Sequence, residues 1–522
     1  MQIDPITLEV FNHRLSAIAE EMGVALCRSA FSPNIKERRD FSCALFDGGG
    51  GMAAQAAHIP VHLGSTPLSV RAAIEQVPME AGDVVMLNDP YAGGTHLPDV
   101  TVVAPVFLGR QRSPFGYVAN RAHHADIGGS SPGSMPLATE IYQEGLRVPP
   151  VRIVRRGEIA RDVLQLFTAN TRVADERRGD LLAQLAALRR GAARLQELVH
   201  EAGPEPTRAA MAALQDYSAR LMAATLRRLR SGRYRGRDWM DDDGAGATRI
   251  PICVAVRIGR GRAQVDFTGT AAQVAGGINA NYAVTVAAVL YVFQALADAP
   301  IPANAGLMRP LRITAPLGTL VNARFPAAVA GGNVETSQRI VDALLKALAP
   351  AAPEKIPAAS NGSMNNLALG GFDTVRQRQF AYYETIAGGA GAGPHGPGAS
   401  GVHTHMTNTL NTPVEALEAA YPLQVTRYGL RVGSGGKGRH RGGDGVVREI
   451  ELLAPARVTL LTERRRLPPY GLHGGAPGRS GRNLLIEGKI AHELPGKLSC
   501  VLPAGKRLRI VTPAGGGWGR AR

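Results

Sequence analysis

Glycine and proline interrupt this chain unusually often, with 62 glycines and 35 prolines among 522 residues. Both residue types favour turns and chain ends over the interiors of helices and strands. Only 5% of the residues are aromatic, so Ala and Val must fill much of the interior. With 45% hydrophobic and 20% charged residues, the chain has a globular composition and is long enough to bury a large core. It is expected to fold into many short elements joined by loops.

Hydrophobic periodicity predicts a mixed α+β fold whose C-terminal part is rich in strands. The first helix is predicted to begin at Pro5, because a capping aspartate, here Asp4, followed by proline is a common helix start. Other helices are predicted at 65–76, at 160–235 with a break at Gly203 and Pro204, at 282–297 and at 336–348. Strands are predicted at 41–47, in three short runs within 80–130, in a hairpin over 252–270, at 310–315 and through most of 420–522.

The net charge of +16 comes mostly from arginine on predicted helices. A basic surface of this kind suits nucleic acid or an acidic partner. The sequence has no DNA- or RNA-binding motif, however, and lacks the aromatic residues that would stack bases between the basic ones. A solvated helix face is therefore the favoured interpretation, and no nucleic-acid partner is expected.

No membrane segment is predicted either. The longest uncharged apolar run, 282–297, is shorter than the roughly 20 residues of a membrane span and contains Gln294. The N-terminal segment carries charged residues such as Asp4, Arg14 and Glu20, which a signal peptide would not tolerate in its apolar stretch. We expect a cytoplasmic, soluble protein.

Histidine is concentrated near the N-terminus, where two loops carry most of the candidate ligands. In the first loop, His96 and Asp99 lie three residues apart after a predicted strand. Gly93 and Gly94 precede them and let the backbone turn tightly. An imidazole and a carboxylate together suit a borderline-to-hard cation such as Zn, Mn or Fe(II).

The second loop carries His123, His124 and Asp126 and also follows a predicted strand. If both loops leave neighbouring strands at the same edge of a sheet, their side chains meet in one pocket. Burying several ionisable groups together is costly unless a counter-charge is present, and a metal ion supplies one. Satisfied polar loop residues are the alternative, which becomes less favoured as more such groups fall within about thirty residues.

Two further pairs of ionisable residues could belong to a site or to the surface and core. Glu37 and Asp40 flank one loop with basic residues between them, and spacing alone favours a surface charge run. His58 and His62 are separated by Pro60, so they do not lie on one regular helix. They are as consistent with packing as with lining a pocket.

Glycine-rich segments at 433–445 and 512–519 raise the question of a phosphate site, since backbone N–H groups can cradle anions. Neither segment matches a P-loop or a strand-to-helix dinucleotide turn. Turns in a β-rich region are the favoured interpretation. The sequence also lacks a serine elbow and a Cys–His signature, which argues against simple covalent hydrolysis.

The same segments, together with several later ones, resemble the hydantoinase B/oxoprolinase family in order and spacing. The similar blocks lie at 36–47, 58–65, 88–107, 121–136, 266–282, 302–313, 331–344, 406–450 and 474–478. The resemblance implies one family domain over 1–522. Within it we distinguish a helical region with the candidate site (1–240), a central α/β region (241–400) and a β-rich region (401–522), the first boundary being predicted from the acidic stretch 238–246.

The resemblance also implies a function and a partner. Family members act as B-type subunits with an ATP-binding A-type subunit, sometimes fused to them, and this implies a hetero-oligomer. Their activities include ring opening of 5-oxoproline and hydantoins, and ketone carboxylation in related complexes. In the acetone carboxylase branch the corresponding subunit holds a manganese ion. The matching positions here are Glu37, His96, Asp99 and His123.

The loops at 95–99 and 121–136 resemble the hydrolase branch more closely, so hydrolysis of a small cyclic amide is the expected reaction. The partner would convert the amide oxygen into a phosphate ester, and a divalent ion would lower the pKa of water from 15.7 toward about 7. His124 or Asp126 is the candidate catalytic residue that orients or deprotonates this water. Ketone carboxylation and a non-catalytic scaffold for the A-type subunit are the alternatives.

Overall fold

A seven-stranded antiparallel sheet, the N-terminal sheet, dominates the first third of the computed structural model, which describes residues 3–56, 59–109 and 111–521. Its strands are β1 (Phe41–Asp47), β2 (Met52–Gln55), β3 (Val84–Leu87), β4 (Asp99–Val106), β5 (Gly116–His123), β6 (Val151–Arg155) and β7 (Glu158–Ile159). Their spatial order is β2-β1-β5-β4-β3-β6-β7, so β1, β5 and β4 are neighbours. The strands predicted at 41–47 and within 80–130 are confirmed.

Helices cover both faces of the N-terminal sheet. The helices of the described chain are α1 (Pro5–Ser29), α2 (Pro33–Lys36), α3 (Thr66–Gln76), α4 (Arg161–Ala169), α5 (Ala174–Ala202), α6 (Pro204–Arg228), α7 (Tyr282–Ala295), α8 (Ser337–Leu348) and α9 (Val414–Ala420). The start of α1 is as predicted, because the Asp4 carboxylate accepts hydrogen bonds from the N–H groups of Ile6 and Thr7. Helices α1 and α5 pack on one face of the sheet, and α3 packs on the other.

Strand alternation decides which face of the N-terminal sheet each side chain occupies. On β5, Val118 and Ala122 belong to the core beneath α1 and α5. Tyr117 and Ala119 belong to the core on the opposite face. His123 continues this second series and therefore points away from α5.

A second sheet packs beneath α7 and α8. It contains β8 (Gly232–Asp242), β9 (Thr248–Gly259), β10 (Arg262–Asp266) and β11 (Leu311–Thr314), in the order β11-β10-β9-β8. The apolar helix predicted over 282–297 is confirmed as α7, which is buried over most of its length. Among the described residues, no helix combines the length and apolarity that crossing a bilayer requires.

The prediction of helix up to residue 235 was wrong at its C-terminal end. Helix α6 ends at Arg228. The acidic stretch 238–246 begins inside strand β8, which ends at Asp242. Strand β8 pairs with β9 along its length, and α8 packs closely over it. Gly236 permits this approach, since a Cβ there would lie 2.3 Å from the Ala343 carbonyl oxygen. Gly232 and Gly236 also disfavour helix, so local preference and tertiary packing both favour the strand.

The last part of the chain is rich in strands, as predicted, and forms two further sheets. The third sheet has the order β13-β12-β16-β19, and the fourth has the order β14-β15-β20-β17-β18; their strands are β12 (Asn366–Asp373), β13 (Arg378–Glu384), β14 (Leu423–Leu430), β15 (Val446–Leu452), β16 (Ala456–Leu461), β17 (Arg482–Glu487), β18 (Ile490–Leu494), β19 (Lys497–Leu502) and β20 (Arg507–Val511). The third sheet joins strands from both sides of residue 400, so the central and C-terminal regions share it.

The glycine-rich segments near the C-terminus pack against one another as neighbouring backbones. The N–H of Gly443 donates to Ala390, and the N–H of Gly515 donates to Gly443. A Cβ on Gly515 would lie 1.8 Å from the Ala390 carbonyl oxygen, and one on Gly443 would lie 1.9 Å from that of Ala399. The glycines therefore allow chains to approach more closely than any other residue would, and these N–H groups are bonded within the protein.

Gly515→Ala is expected to destabilise the protein by about 3 kcal/mol, because a methyl group would overlap a backbone atom that cannot rotate away. Thermal unfolding followed by circular dichroism would show a midpoint several degrees lower. Gly393→Ala is the control, since a Cβ there would meet nothing within 4 Å. Equal midpoints for the two variants would contradict close packing of the glycine-rich backbones.

Candidate metal centre

Three adjacent strands of the N-terminal sheet bring their ends together at one edge. Asp40 directly precedes β1, His123 ends β5 and Asp99 begins β4. In the sheet register Asp99 pairs directly with His123, and the N–H of His123 donates to the Asp40 carbonyl oxygen at 3.0 Å. All three side chains line one cavity, which we call the inner cavity. Strand pairing, rather than proximity in sequence, therefore assembles this part of the site.

His96 and His62 reach the same carboxylate from outside the strands. His96 lies in the loop before β4, and its Nε2 is 3.4 Å from Asp99 Oδ1. His62 lies in a short 3₁₀ turn, Pro60–His62, and its Nε2 is 3.4 Å from Asp99 Oδ2. One ligand atom each from His96, Asp99 and His123 lie within 4.8 Å of one another. These three buried residues are the candidate metal-binding triad.

For Asp99 and His123, electrostatics favour the protonation states that metal ligands need. Burial raises the pKa of Asp99, but the neighbouring imidazoles of His96 and His62 outweigh burial and hold that pKa well below its ordinary value. Burial lowers the pKa of His123 well below its ordinary value, and the nearby His96 lowers it further. At neutral pH the carboxylate is thus ionised and the His123 ring is neutral.

Hydrogen bonds to Nδ1 orient the imidazole rings of His123 and His62. Asn34 Nδ2 lies 3.0 Å from His123 Nδ1, which leaves His123 Nε2 buried and without a hydrogen-bond partner among the described residues. The hydroxyl of Ser42 lies 2.9 Å from His62 Nδ1. Ligand histidines are commonly oriented in this way through their second ring nitrogen. Buried imidazoles around a carboxylate, with one ring nitrogen unpartnered, are a donor set that fits a divalent cation.

Later segments of the chain also contribute to the wall of the inner cavity. A π-helical turn, Gly332–Thr336, precedes α8, and its Asn333 Nδ2 is 3.2 Å from His96 Nε2. Single π turns are rare and occur frequently at functional sites. Tyr383 of β13 stacks on His123 with ring centroids 4.7 Å apart. The third sheet therefore contributes directly to the site that the N-terminal sheet begins.

The inner cavity measures about 20 Å³, which is room for a water molecule or an ion and not for an organic ring. Asp40 faces it without a hydrogen bond to its carboxylate among the described residues, its nearest cation being Arg38 at 3.9 Å. Burial raises the pKa of Asp40, and Arg38 partly opposes this.

The structure does not bring Glu37 into this group, although the resemblance placed it among the metal ligands. Glu37 follows the single turn of α2 and is half-buried outside the triad. The chain then reverses at Arg39, whose φ is 54°. It is Asp40, after this reversal, that enters the cavity. Both carboxylates are visible in the sequence, but the intervening left-handed residue is not.

His124 and Asp126, the catalytic candidates of the sequence analysis, lie away from the inner cavity. His124 follows the opposite parity to His123 and packs beneath α5, where its Nε2 lies 2.9 Å from Gln184 Oε1. Asp126 accepts hydrogen bonds from the N–H groups of Gly128 and Gly133 and pairs with Arg172 at 2.9 Å. Its oxygens are therefore occupied in holding a loop together.

His124→Ala is expected to lower the stability of the fold by about 1 to 3 kcal/mol, because it leaves a buried amide oxygen of Gln184 without its donor. The metal content of the folded protein should not change. Chemical denaturation and elemental analysis of the same preparation would check both expectations. A folded variant without metal would show that His124 belongs to the metal centre after all.

From the sequence, the roles of Asp40 and His62 stay undecided, and Asn333 and Tyr383 are not among the candidate site residues. In the register of β1 and β5, Asp40 lies beside His123 and Glu37 does not, but this register cannot be read from the sequence. No local signal points to Asn333 or Tyr383, because tertiary packing brings them in from distant segments. His58 lies outside the described residues.

Known proteins are similar to this chain over nearly its whole length. The Hydantoinase B/oxoprolinase family model matches residues 4–521. The 5-oxoprolinase 1 of Arabidopsis thaliana is 41% identical, the match covering 99% of this chain and 42% of that protein, so this chain spans about two fifths of its length. A protein of Pseudomonas sp. strain NS671, named as the B component of a D-/L-hydantoinase, is 33% identical, with 99% and 90% covered.

A solved structure shares the entire fold. The ATP-dependent caprolactamase from Pseudomonas jessenii superposes with a TM-score of 0.92 at 30% identity, the match covering 100% of this chain and 92% of that one. The fold class expected from the sequence is thereby confirmed. With a family match over nearly every residue and relatives at this identity, the chain belongs to the hydantoinase B/oxoprolinase family.

Proposed function

We propose that this chain is the B-type component of an ATP-dependent enzyme that hydrolyses the ring amide of a small lactam or hydantoin at a divalent metal site. ATP would be used by an A-type partner. The names of the relatives, which are 5-oxoprolinase, D-/L-hydantoinase and ATP-dependent caprolactamase, all refer to cyclic amides. The observation that carries the proposal is the buried triad, whose ligand atoms lie within 4.8 Å of one another.

In this proposal His96, Asp99 and His123 hold the ion, with Mn, Zn and Fe(II) as the candidates that suit imidazole and carboxylate donors. When bound, such an ion supplies Lewis acidity, which polarises a carbonyl and acidifies water. Asn34 fixes the plane of the His123 ring, and Asn333 lies against His96. The chain's own contribution is thus a neutral His123 ring and an ionised Asp99 carboxylate, held beside His96 in a space that admits almost no bulk water.

Asp40 is our candidate for accepting the proton of the water that attacks the ring carbonyl. Its carboxylate lines the inner cavity beside the triad and is not hydrogen-bonded within the described chain. His124 and Asp126 lack this access. The positive Arg38, 3.9 Å away, stabilises the ionised form of Asp40 before it takes the proton. After water adds to the ring carbon of the phosphate ester, the C–N bond would break as the ring nitrogen takes a proton, and a second water would hydrolyse the resulting acyl phosphate to carboxylate and phosphate.

The test is turnover of 5-oxoproline and of hydantoin by the chain co-expressed with an A-type partner, with and without ATP. Ring opening that requires ATP and both proteins would support the proposal. If the complex instead converts an added ketone to a product only when bicarbonate is present, the proposal is overturned in favour of ketone carboxylation. A metal-free chain that is needed only for the stability of its partner would overturn it in favour of a scaffold.

A further inference from the structure

A second, larger pocket lies directly outside the inner cavity. This outer pocket is formed between the C-terminal half of α1 and the segments around Arg39 and Leu410, and its volume is about 460 Å³. Pockets that bind small molecules typically fall in the range of about 300 to 1,000 Å³. The inner cavity, at about 20 Å³, is far too small for a ring. The outer pocket therefore has the size that a substrate needs.

The two cavities share their walls at three separate segments. Ile59 lines both. Asp40 faces the inner cavity while the next residue, Phe41, lines the outer pocket. Thr407 lines the inner cavity, and Asn408, which follows it, lines the outer pocket. The shared residue and the two pairs of chain neighbours place the outer pocket beside the inner cavity, and therefore beside the candidate metal centre.

The outer pocket is lined by two arginines and one glutamate. Arg28 and Arg39 are both exposed at its rim, and no hydrogen bond or ion pair of either guanidinium is found among the described residues. Glu20, the acidic residue of the lining, already has an interaction partner. Arg39 adopts a left-handed backbone with φ 54°, a conformation that costs free energy for a residue with a side chain.

We propose that the outer pocket binds the anionic group of the substrate through Arg28 and Arg39, with the ring directed toward Ile59. The proposal rests on the proposed function and adds a substrate class to it, namely a cyclic amide that carries an oxyanion. Guanidinium groups bind planar and tetrahedral oxyanions through paired N–H donors. Val24 and Leu410, each half exposed in the pocket, offer apolar contact to ring methylene groups. The oxyanion is either a carboxylate of the substrate itself or the phosphoryl group added on activation.

Titration calorimetry on the full-length, metal-loaded chain tests the site without any turnover. The probes are 5-oxoproline and inorganic phosphate, and the variant is Arg28→Ala with Arg39→Ala. We expect the Kd for an anionic probe to rise by about tenfold or more. The matched control is Arg71→Ala with Arg260→Ala, because Arg71 is also an exposed helical arginine and Arg260, with φ 51°, also has a left-handed backbone.

Kinetics of the complex with its partner separate the two sources of the oxyanion. A rise in KM for 5-oxoproline, with KM for uncharged hydantoin unchanged, assigns the arginines to the substrate carboxylate. A fall in kcat for both substrates while ATP hydrolysis continues assigns them to the phosphoryl group. If the double variant binds both probes as tightly as the control variant does, the proposal is overturned. The titration needs no catalysis. An inactive complex would therefore count against the proposed function only, and the Kd values alone would decide whether the anion site exists.

Discussion

His123→Ala is expected to remove the metal from the purified chain and to lower turnover by about 10³-fold or more. The substitution deletes one of the three proposed ligands, and the two that remain, His96 and Asp99, are buried with His96 Nε2 3.4 Å from Asp99 Oδ1. Without the ion, water with a pKa of 15.7 is the only nucleophile left near neutral pH. Elemental analysis and a steady-state assay of the complex would measure the two effects.

The control for this variant is His200→Ala, which removes an exposed histidine at the end of α5. The control variant should retain both metal and activity. That result would show that the measured metal is not bound to surface histidines. Circular dichroism must show that the His123→Ala protein is folded. A folded His123→Ala variant with a full complement of metal would exclude His123 as a ligand.

Asp40→Asn is expected to lower kcat by about 10² to 10⁴-fold while leaving the metal bound. The amide has nearly the same shape as the carboxylate but cannot accept the proton that we assign to Asp40. The loss should therefore appear in kcat more than in KM. Stopped assays of product formation, together with elemental analysis of the same sample, separate loss of the base from loss of the ion.

Glu37→Gln is the matched control, since it changes the other carboxylate of the same segment. The structure places Glu37 outside the triad, so both metal content and kcat should stay within about twofold of the wild type. If Glu37→Gln loses the metal and Asp40→Asn is fully active, the roles of the two carboxylates are reversed.

Much of the architecture could be predicted because local and tertiary preferences agree there. The capped start of α1, the strands that carry Asp99 and His123, and the apolar α7 all have the periodicity of the element they form. The meeting of His96, Asp99 and His123 follows from two neighbouring strands ending at one edge. These are properties that a short stretch of sequence contains.

The remainder of the site depends on information that no short stretch contains. His123 and His124 are adjacent in sequence, and only the pleat of the paired strand sends one to the cavity and the other beneath α5. Tyr383 reaches the site because the third sheet packs against the first. The extent of strand β8 is set by its pairing with β9 and its contact with α8. Long-range contacts are therefore what separated Asp40 from Glu37 and His123 from His124.

The most direct measurement is anomalous diffraction from crystals of the chain loaded with Mn or Zn. Our account predicts a single strong peak in the inner cavity, about 2.0 to 2.2 Å from a ring nitrogen of His96, a ring nitrogen of His123 and a carboxylate oxygen of Asp99. A fully occupied ion held elsewhere, with these three side chains bonded only to one another, would contradict it.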